Sequence, residues 1–323
     1  MYKVKFHIKD LSNYNFLITG GAGFIGSHIV DYLISHKAGK IRVLDNLSNG
    51  KLENLKDFEG LSSLEFVEGD IRDLETCKQA CRDIHYICHL AAVGSIPRSV
   101  NDPVTTNNVN INGFLNLLIA AKEAGIKRLV YSSSSSVYGD NKNFSKSESE
   151  LGNPLSPYAV TKQAGELYAK VFSKLYNFEI IGLRYFNVFG PRQDPNGPYA
   201  AAIPIFINCI KNNQKPVIYG DGNQTRDFTY VENVVQANML ALFSDNKEAI
   251  NEIFNVGVGE RTSVNVLYKT LCEILGKNVE PSYVPPRAGD IKDSLADISK
   301  IIQYLEYNPR VRLRKGLEMM LGR

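Results

Sequence analysis

Strand-like runs of four to six residues recur at 16–19, 41–45, 64–68, 86–90, 128–132 and 179–184, and most of the intervals between them carry helical spacing. Strands alternating with helices predict a doubly wound parallel sheet, because parallel neighbours need a crossover and the crossover is usually a helix. Two of the predicted helices are long, 104–124 and 157–176, and both carry apolar residues on more than one face. One copy of the chain would leave those faces exposed, so pairing with the same helices of a second copy, a homodimer, is expected. Beyond residue 184 the alternation gives way to turns at Gly190-Pro191, 194–198 and Gly220-Asp221-Gly222, with helices resuming near 201–211, 231–243 and 263–275. The expected division is residues 1–185 for the sheet domain and 186–323 for a second, smaller α/β region over the carboxyl edge of the strands, with interleaving of segments allowed for.

The first strand runs into Thr19-Gly20-Gly21-Ala22-Gly23-Phe24-Ile25-Gly26. A strand that turns over glycines into a helix aims backbone N–H groups and the positive end of the helix dipole at one point, which suits a pyrophosphate. Gly20 would allow the turn, Gly23 the approach of phosphate, and Gly26 close packing of helix on strand. Asp45 ends the second strand and is followed by Asn46, where an acid is expected on an adenosine ribose. That acid suits a free 2′-hydroxyl, and no arginine directly follows it. A Rossmann-type domain holding NAD rather than NADP is the reading.

Composition narrows the classes. The chain has 323 residues, 44% apolar content and a formal net charge of +3, an ordinary globular balance that points to neither nucleic acid nor an anionic membrane surface. No apolar stretch is long enough to span a bilayer, residues 1–15 lack a signal-type apolar core, and a cytoplasmic protein is expected. Five cysteines without paired spacing predict reduced thiols and no metal site; Cys81, His85, Cys88 and His89 crowd together, but on a strand they alternate between faces.

The chemistry centres on Ser132 to Ser136 at the end of the fifth strand and on Ser156-Pro157-Tyr158-Ala159-Val160-Thr161-Lys162. Tyr158 and Lys162 are four residues apart, hence on one helical face. A tyrosine acting as base near neutrality needs its phenolate stabilised by about 4 kcal/mol, which a lysine ammonium and a positive nicotinamide ring could supply together.

These residues resemble the extended short-chain dehydrogenase/reductase family through TGGAGFIG at 19–26, GDIRD at 69–73, LAA at 90–92, SSSSSVYGD at 132–140 and SPYAVTK at 156–162. Within it the likeness is to nucleotide-sugar 4-epimerases, especially the branch acting on UDP-N-acetylhexosamines, through GSIPRSV at 94–100, RYFNVFGPRQDPNGPYAAAIP at 184–204 and RAGDIKDSLAD at 287–297. The resemblance implies Tyr158 as base, Ser134 as its hydroxyl partner and Lys162 bonded to the nicotinamide ribose. It places Gly20, Gly23, Phe24, Ile25, Gly26, Asp45, Asn46, Asp70, Ile71, Leu90, Ala91, Ala92 and Phe186 around NAD. Asn187, Gln193, Ala201, Arg226, Arg287 and Asp290 would hold a UDP-sugar, and small Ser294 would leave room for a 2-acetamido group. The implied reaction is inversion at C4 through a 4-keto sugar with transient reduction of NAD, on UDP-GlcNAc and UDP-GalNAc. The alternatives are a UDP-uronic acid or UDP-glucose as substrate, a decarboxylase or dehydratase, and a scaffold without turnover. Dehydratases and decarboxylases of this family carry carboxylates before the Val-Tyr-Gly run, where this chain has Ser135-Ser136.

Overall fold

The computed structural model describes residues 2–195, 201–286 and 293–323. Its centre is a seven-stranded sheet: β1 Phe16–Thr19, β2 Ile41–Asp45, β3 Leu64–Glu68, β4 Tyr86–His89, β5 Arg128–Ser134, β6 Glu179–Tyr185 and β7 Ile253–Val256. Every pairing is parallel, in the order β7-β6-β5-β4-β1-β2-β3. The order reverses between β1 and β4, and in such sheets ligands bind beyond the strand ends at that reversal. All residues of β1, β2 and β4 are buried, as expected of strands covered on both faces.

The covering helices include α1 Phe24–Ser35, α2 Leu74–Ala80, α3 Ile96–Asn101, α4 Pro103–Asn107, α5 Phe114–Glu123 and α6 Pro157–Tyr176. The expected single helix over 104–124 is instead two α-helices joined by a π-helical turn at Asn108–Gly113. The turn has a use, as such bulges often do. It directs Asn110 inward, where its Oδ1 accepts from Val93 N at 2.8 Å and its Nδ2 donates to Val93 O and to Thr161 Oγ1. The loop after β4 is thereby fixed to α6.

Among the helices that follow are α7 Ala202–Lys211, α8 Val231–Phe243 and α9 Val264–Leu275. Helix α8 lies on the sheet, where Arg128 Nη1 donates to the carbonyls of Ala241, Leu242 and Ser244 at its carboxyl end. Helices α7 and α9 form a separate apolar cluster from Phe206, Ile210, Leu267 and Leu271, with Ile218 from the short strand pair Val217–Tyr219 and Ser282–Val284.

The amino-terminal arm does structural work that its mixed lysine and aromatic pattern did not announce. Phe6 N donates to Tyr32 Oη at 2.7 Å, and His7 Nδ1 meets the same hydroxyl at 2.6 Å. One turn back on α1, His28 Nε2 donates to Pro191 O at 2.9 Å, which leaves Nδ1 to accept from Tyr2 Oη. Burial pulls the His28 imidazole down to about 4, consistent with this neutral tautomer. Arg192 adds bonds to Ser27 O and Asp31. The arm and α1 together therefore hold the segment at 190–193.

Candidate active site

The glycine turn packs as its spacing requires. Gly20 has φ +69°, and a Cβ there would lie 2.7 Å from Ala91 N, so the loop after β4 can come this close only to glycine. Gly23, Phe24, Ile25 and Gly26 then face a cleft at the amino end of α1. In an adjoining pocket that shares Gly20 and Gly23, Asp45 is buried, its two oxygens accepting from Ala22 N at 3.0 Å and Leu47 N at 2.9 Å. Burial raises its carboxyl above the usual range while those bonds pull it back. Each oxygen retains a lone pair for a ribose hydroxyl. Asn46 Nδ2 donates to Asp70 Oδ2, and the Arg72 hydrogen bond brings the Asp70 carboxyl down to about 2. Ile71, Leu90, Ala91 and Ala92 line the same pocket as Asp45, Asn46 and Asp70. An anion cradle at one end and an unfilled acceptor at the other fit NAD.

Tyr158 and Lys162 enter the cleft from the first turns of α6. That helix starts where the sequence says: Ser156 Oγ accepts from Ala159 N, and Pro157 takes the first position. Burial raises the Tyr158 phenol and a hydrogen bond with Ser134 lowers it in part. The Lys162 ammonium sits 5.8 Å from the centre of the Tyr158 ring and donates to Ser132 O at 2.8 Å. Burial lowers Lys162 to about 8, with Glu166 opposing the shift. Ser134 also caps the following turn, accepting from Ser136 N.

The same cleft, about 1180 Å³, continues to Asn187, Gln193, Arg226 and Ser294. It exceeds the range of a single small-ligand pocket and has room for two ligands. Asn187 has φ +22°, which turns the chain just after β6. Gln193 Oε1 and Ser136 Oγ are buried without a hydrogen-bond partner among the described residues, which leaves two polar atoms on the cleft wall open to a ligand. Not every expected residue joins. Phe186 lies behind the cleft wall in a cluster with Val137, Tyr138 and Ala296, because its strand neighbours Tyr185 and Asn187 take the cleft side. Ala201 is exposed at the start of α7 and does not line the cleft; Arg287 and Asp290 lie outside the described residues. Two lining segments had no assigned role from the sequence, Leu47 to Lys51 after β2 and Gly94 to Arg98 after β4, joined by Arg98 Nη1 to Asn49 Oδ1 at 2.8 Å. Their position at strand ends beside the order reversal was the available signal.

Residues 16–257 match the sequence profile of the NAD dependent epimerase/dehydratase family. A UDP-glucose 4-epimerase of Mycolicibacterium smegmatis is 39% identical over 303 residues, covering 93% of this chain and 95% of its own. Among solved structures, the UDP-glucose 4-epimerase of Thermotoga maritima with UDP-glucose is 41% identical at a TM-score of 0.89, with 95% of this chain and 97% of that one covered. The UDP-N-acetylglucosamine 4-epimerase of Methanobrevibacter ruminantium M1, solved with UDP-N-acetylmuramic acid, is 43% identical at a TM-score of 0.89, with 98% and 99% covered. With the profile and relatives of nearly full length in agreement, the chain belongs to the NAD dependent epimerase/dehydratase family.

Proposed function

We propose that this enzyme is a UDP-sugar 4-epimerase that interconverts UDP-GlcNAc and UDP-GalNAc. The observation that carries the reading is the convergence of Tyr158, Lys162 and Ser134 on one cleft that also holds the glycine turn and, further along, Asn187, Gln193, Arg226 and Ser294. The acetamido preference is supported by the small side chain of Ser294 in the wall and by the likeness to a relative named for UDP-GlcNAc. Ser135 and Ser136 in place of carboxylates leave no acid and base for loss of water beside the tyrosine.

When bound, NAD supplies the acceptor and donor of the C4 hydride. The chain supplies the proton chemistry. Tyr158, as phenolate, takes the proton of the sugar 4-hydroxyl and later returns one to the 4-keto oxygen. Ser134, bonded to Tyr158, steadies that oxygen. Lys162, locked on Ser132 O, stabilises the phenolate by its charge and would donate to the ribose of bound NAD. Arg226, with Arg287, would neutralise the UDP pyrophosphate, while Asn187, Gln193 and Asp290 would fix the rest of the nucleotide sugar. Holding the UDP half firmly and the flat keto sugar loosely lets the ring present its other face, which inverts C4.

The outward face of α6 carries Val160, Leu167, Tyr168, Val171 and Leu175 at helical spacing, each between 38% and 69% exposed. With Val104 of α4, this stripe is the surface on which we expect a second copy to pack, giving a homodimer.

The test is to incubate purified protein, without added cofactor, with UDP-GlcNAc and follow the anomeric and C4 proton resonances. UDP-GalNAc is expected. Turnover of UDP-glucuronate or UDP-glucose alone would relocate the substrate, and silence on all of them with NAD added would defeat the epimerase reading.

A further inference from the structure

Helix α6 and strand β5 meet through two matched triplets. Tyr158, Lys162 and Glu166 follow one another at four-residue steps on α6; Ser134, Ser132 and Ser133 are their respective partners on β5. The first two contacts belong to the reaction already described. The third is deeper: Ser133 Oγ donates to Glu166 Oε1 at 2.6 Å. Glu166 is 5% exposed and Arg184 of β6 only 2%. Arg184 grips the carboxylate with both edges, Nε to Oε1 and Nη2 to Oε2 each at 2.8 Å, while its Nη1 reaches Tyr138 Oη and Glu148 O. A carboxylate buried at this depth needs such pairing. Nothing in the proton chemistry requires an ion pair here.

What it offers is a negative charge one turn beyond the lysine. Burial pulls Lys162 toward neutrality, and Glu166 is the group that opposes it. The other facing groups do not replace it. His89 of β4 is kept neutral by burial, at about 3, with the Lys162 charge adding to the effect. Tyr131 of β5 and Tyr138 in the turn after it are both held protonated by burial. Glu148 is raised by burial, and its Oε1 accepts from Asn255 N at 2.8 Å. Arg184 is a cation and acts against the ammonium.

We propose that Glu166 is a positioning residue of the reaction: clamped by Arg184 and Ser133, its carboxylate keeps the Lys162 ammonium charged and the serine strand in register, and so holds Tyr158 ready as base. The inference rests on Tyr158 being that base. Without Glu166 the lysine loses its proton at a lower pH, and the phenolate loses its counter-charge with it.

The experiment measures kcat against pH for the NAD-bound wild type, Glu166→Gln and the double variant Glu166→Gln with Arg184→Met, on whichever UDP-sugar the wild type turns over. The alkaline limb should move down by about one to two pH units in both variants, with little change in KM, and Glu166→Asp should recover part of the shift. The double variant removes both charges of the buried pair, so it remains informative where Glu166→Gln alone folds poorly. An alkaline limb at the wild-type position in Glu166→Gln, whatever the loss of rate or stability, overturns the proposal. So does a limb that returns to its place in the double variant, since the effect then belongs to the orphaned Arg184. Tyr158→Phe separates the layers: if it turns over normally, the base itself is misassigned, whereas a silent Tyr158→Phe beside unshifted Glu166 variants defeats only the role of Glu166.

Discussion

The Lys51 ammonium meets the Asp194 carboxylate at 2.9 Å, joining the loop after β2 to the segment after β6 across the mouth of the cleft. Lys51 is also tied to the glycine turn, its backbone N–H donating to Ala22 O at 3.0 Å. Both partners line the cleft together with Gly23, Phe24, Ile25 and Gly26. Their side chains are 52% and 39% exposed, and exposed pairs contribute about 1 kcal/mol or less. Lys51→Ala should therefore speed NAD release by about fivefold at most in low salt, and the difference should vanish near 0.5 M salt, roughly where screening removes such pairs. Equal release rates at low salt would show that the bridge does not retain the cofactor.

Lys162 stores a conflict between stability and function. Its folded pKa, about 8, lies below the ordinary lysine value, so burying the ammonium costs stability at every pH where the unfolded chain is protonated. A depressed folded pKa contributes stability above the unfolded pKa, near 10.4, and loses it as pH falls through about 8. Compared with Lys162→Met, the wild type should gain stability as pH rises from 7 to 10, while the variant loses turnover. Parallel unfolding free energies for the two proteins across that range would contradict the burial account. The comparison cancels the other groups that titrate there.

Much of this architecture was legible because its elements obey local rules. Strand-like runs located β1 to β6, and the Ser156-Pro157 cap with the four-residue step from Tyr158 to Lys162 located α6 from end to end. Harder to see was anything set by distant partners. The short run at 253–256 became β7 only because β6 offers it an edge. Asn110 breaks the helix at 104–124 because Val93 and Thr161 satisfy its amide, and no helical period encodes that. Phe186 and Asn187 stand side by side in the motif, yet strand alternation and a turn send one into the core and the other to the cleft. Glu166 went unremarked because a glutamate on a helix reads as surface until Arg184 appears opposite it.

On the outer face of α6, Leu175 is 69% and Leu167 63% exposed, more than a lone helix on a monomer should leave bare. If these residues meet their counterparts on a second copy, Leu167→Glu with Leu175→Glu places like charges in the seam and should yield a monomer by sedimentation. Neither residue lines the cleft, so NAD binding should persist in the monomer. A double variant that sediments like the wild type would move the contact elsewhere.

Ser294 is the place where substrate choice is most directly tested. It is 8% exposed, lines the cleft, and its backbone N–H donates to Thr225 O at 3.1 Å, so the strand pair carrying Arg226 fixes where its side chain begins. A tyrosine at this position would project a ring into space that the serine leaves open. On the proposed function an acetamido group at C2 would occupy that space and a C2 hydroxyl would not, so Ser294→Tyr should lower kcat/KM for UDP-GlcNAc by about a hundredfold or more, of the order of 3 kcal/mol. For UDP-galactose the same change should cost far less. The ratio of the two specificity constants is the measurement, because a general disturbance of the site cancels from it. Equal losses on both substrates would mean that the ring disturbs the sugar site as a whole, and the room beside Ser294 would then have no part in choosing the acetylated substrate.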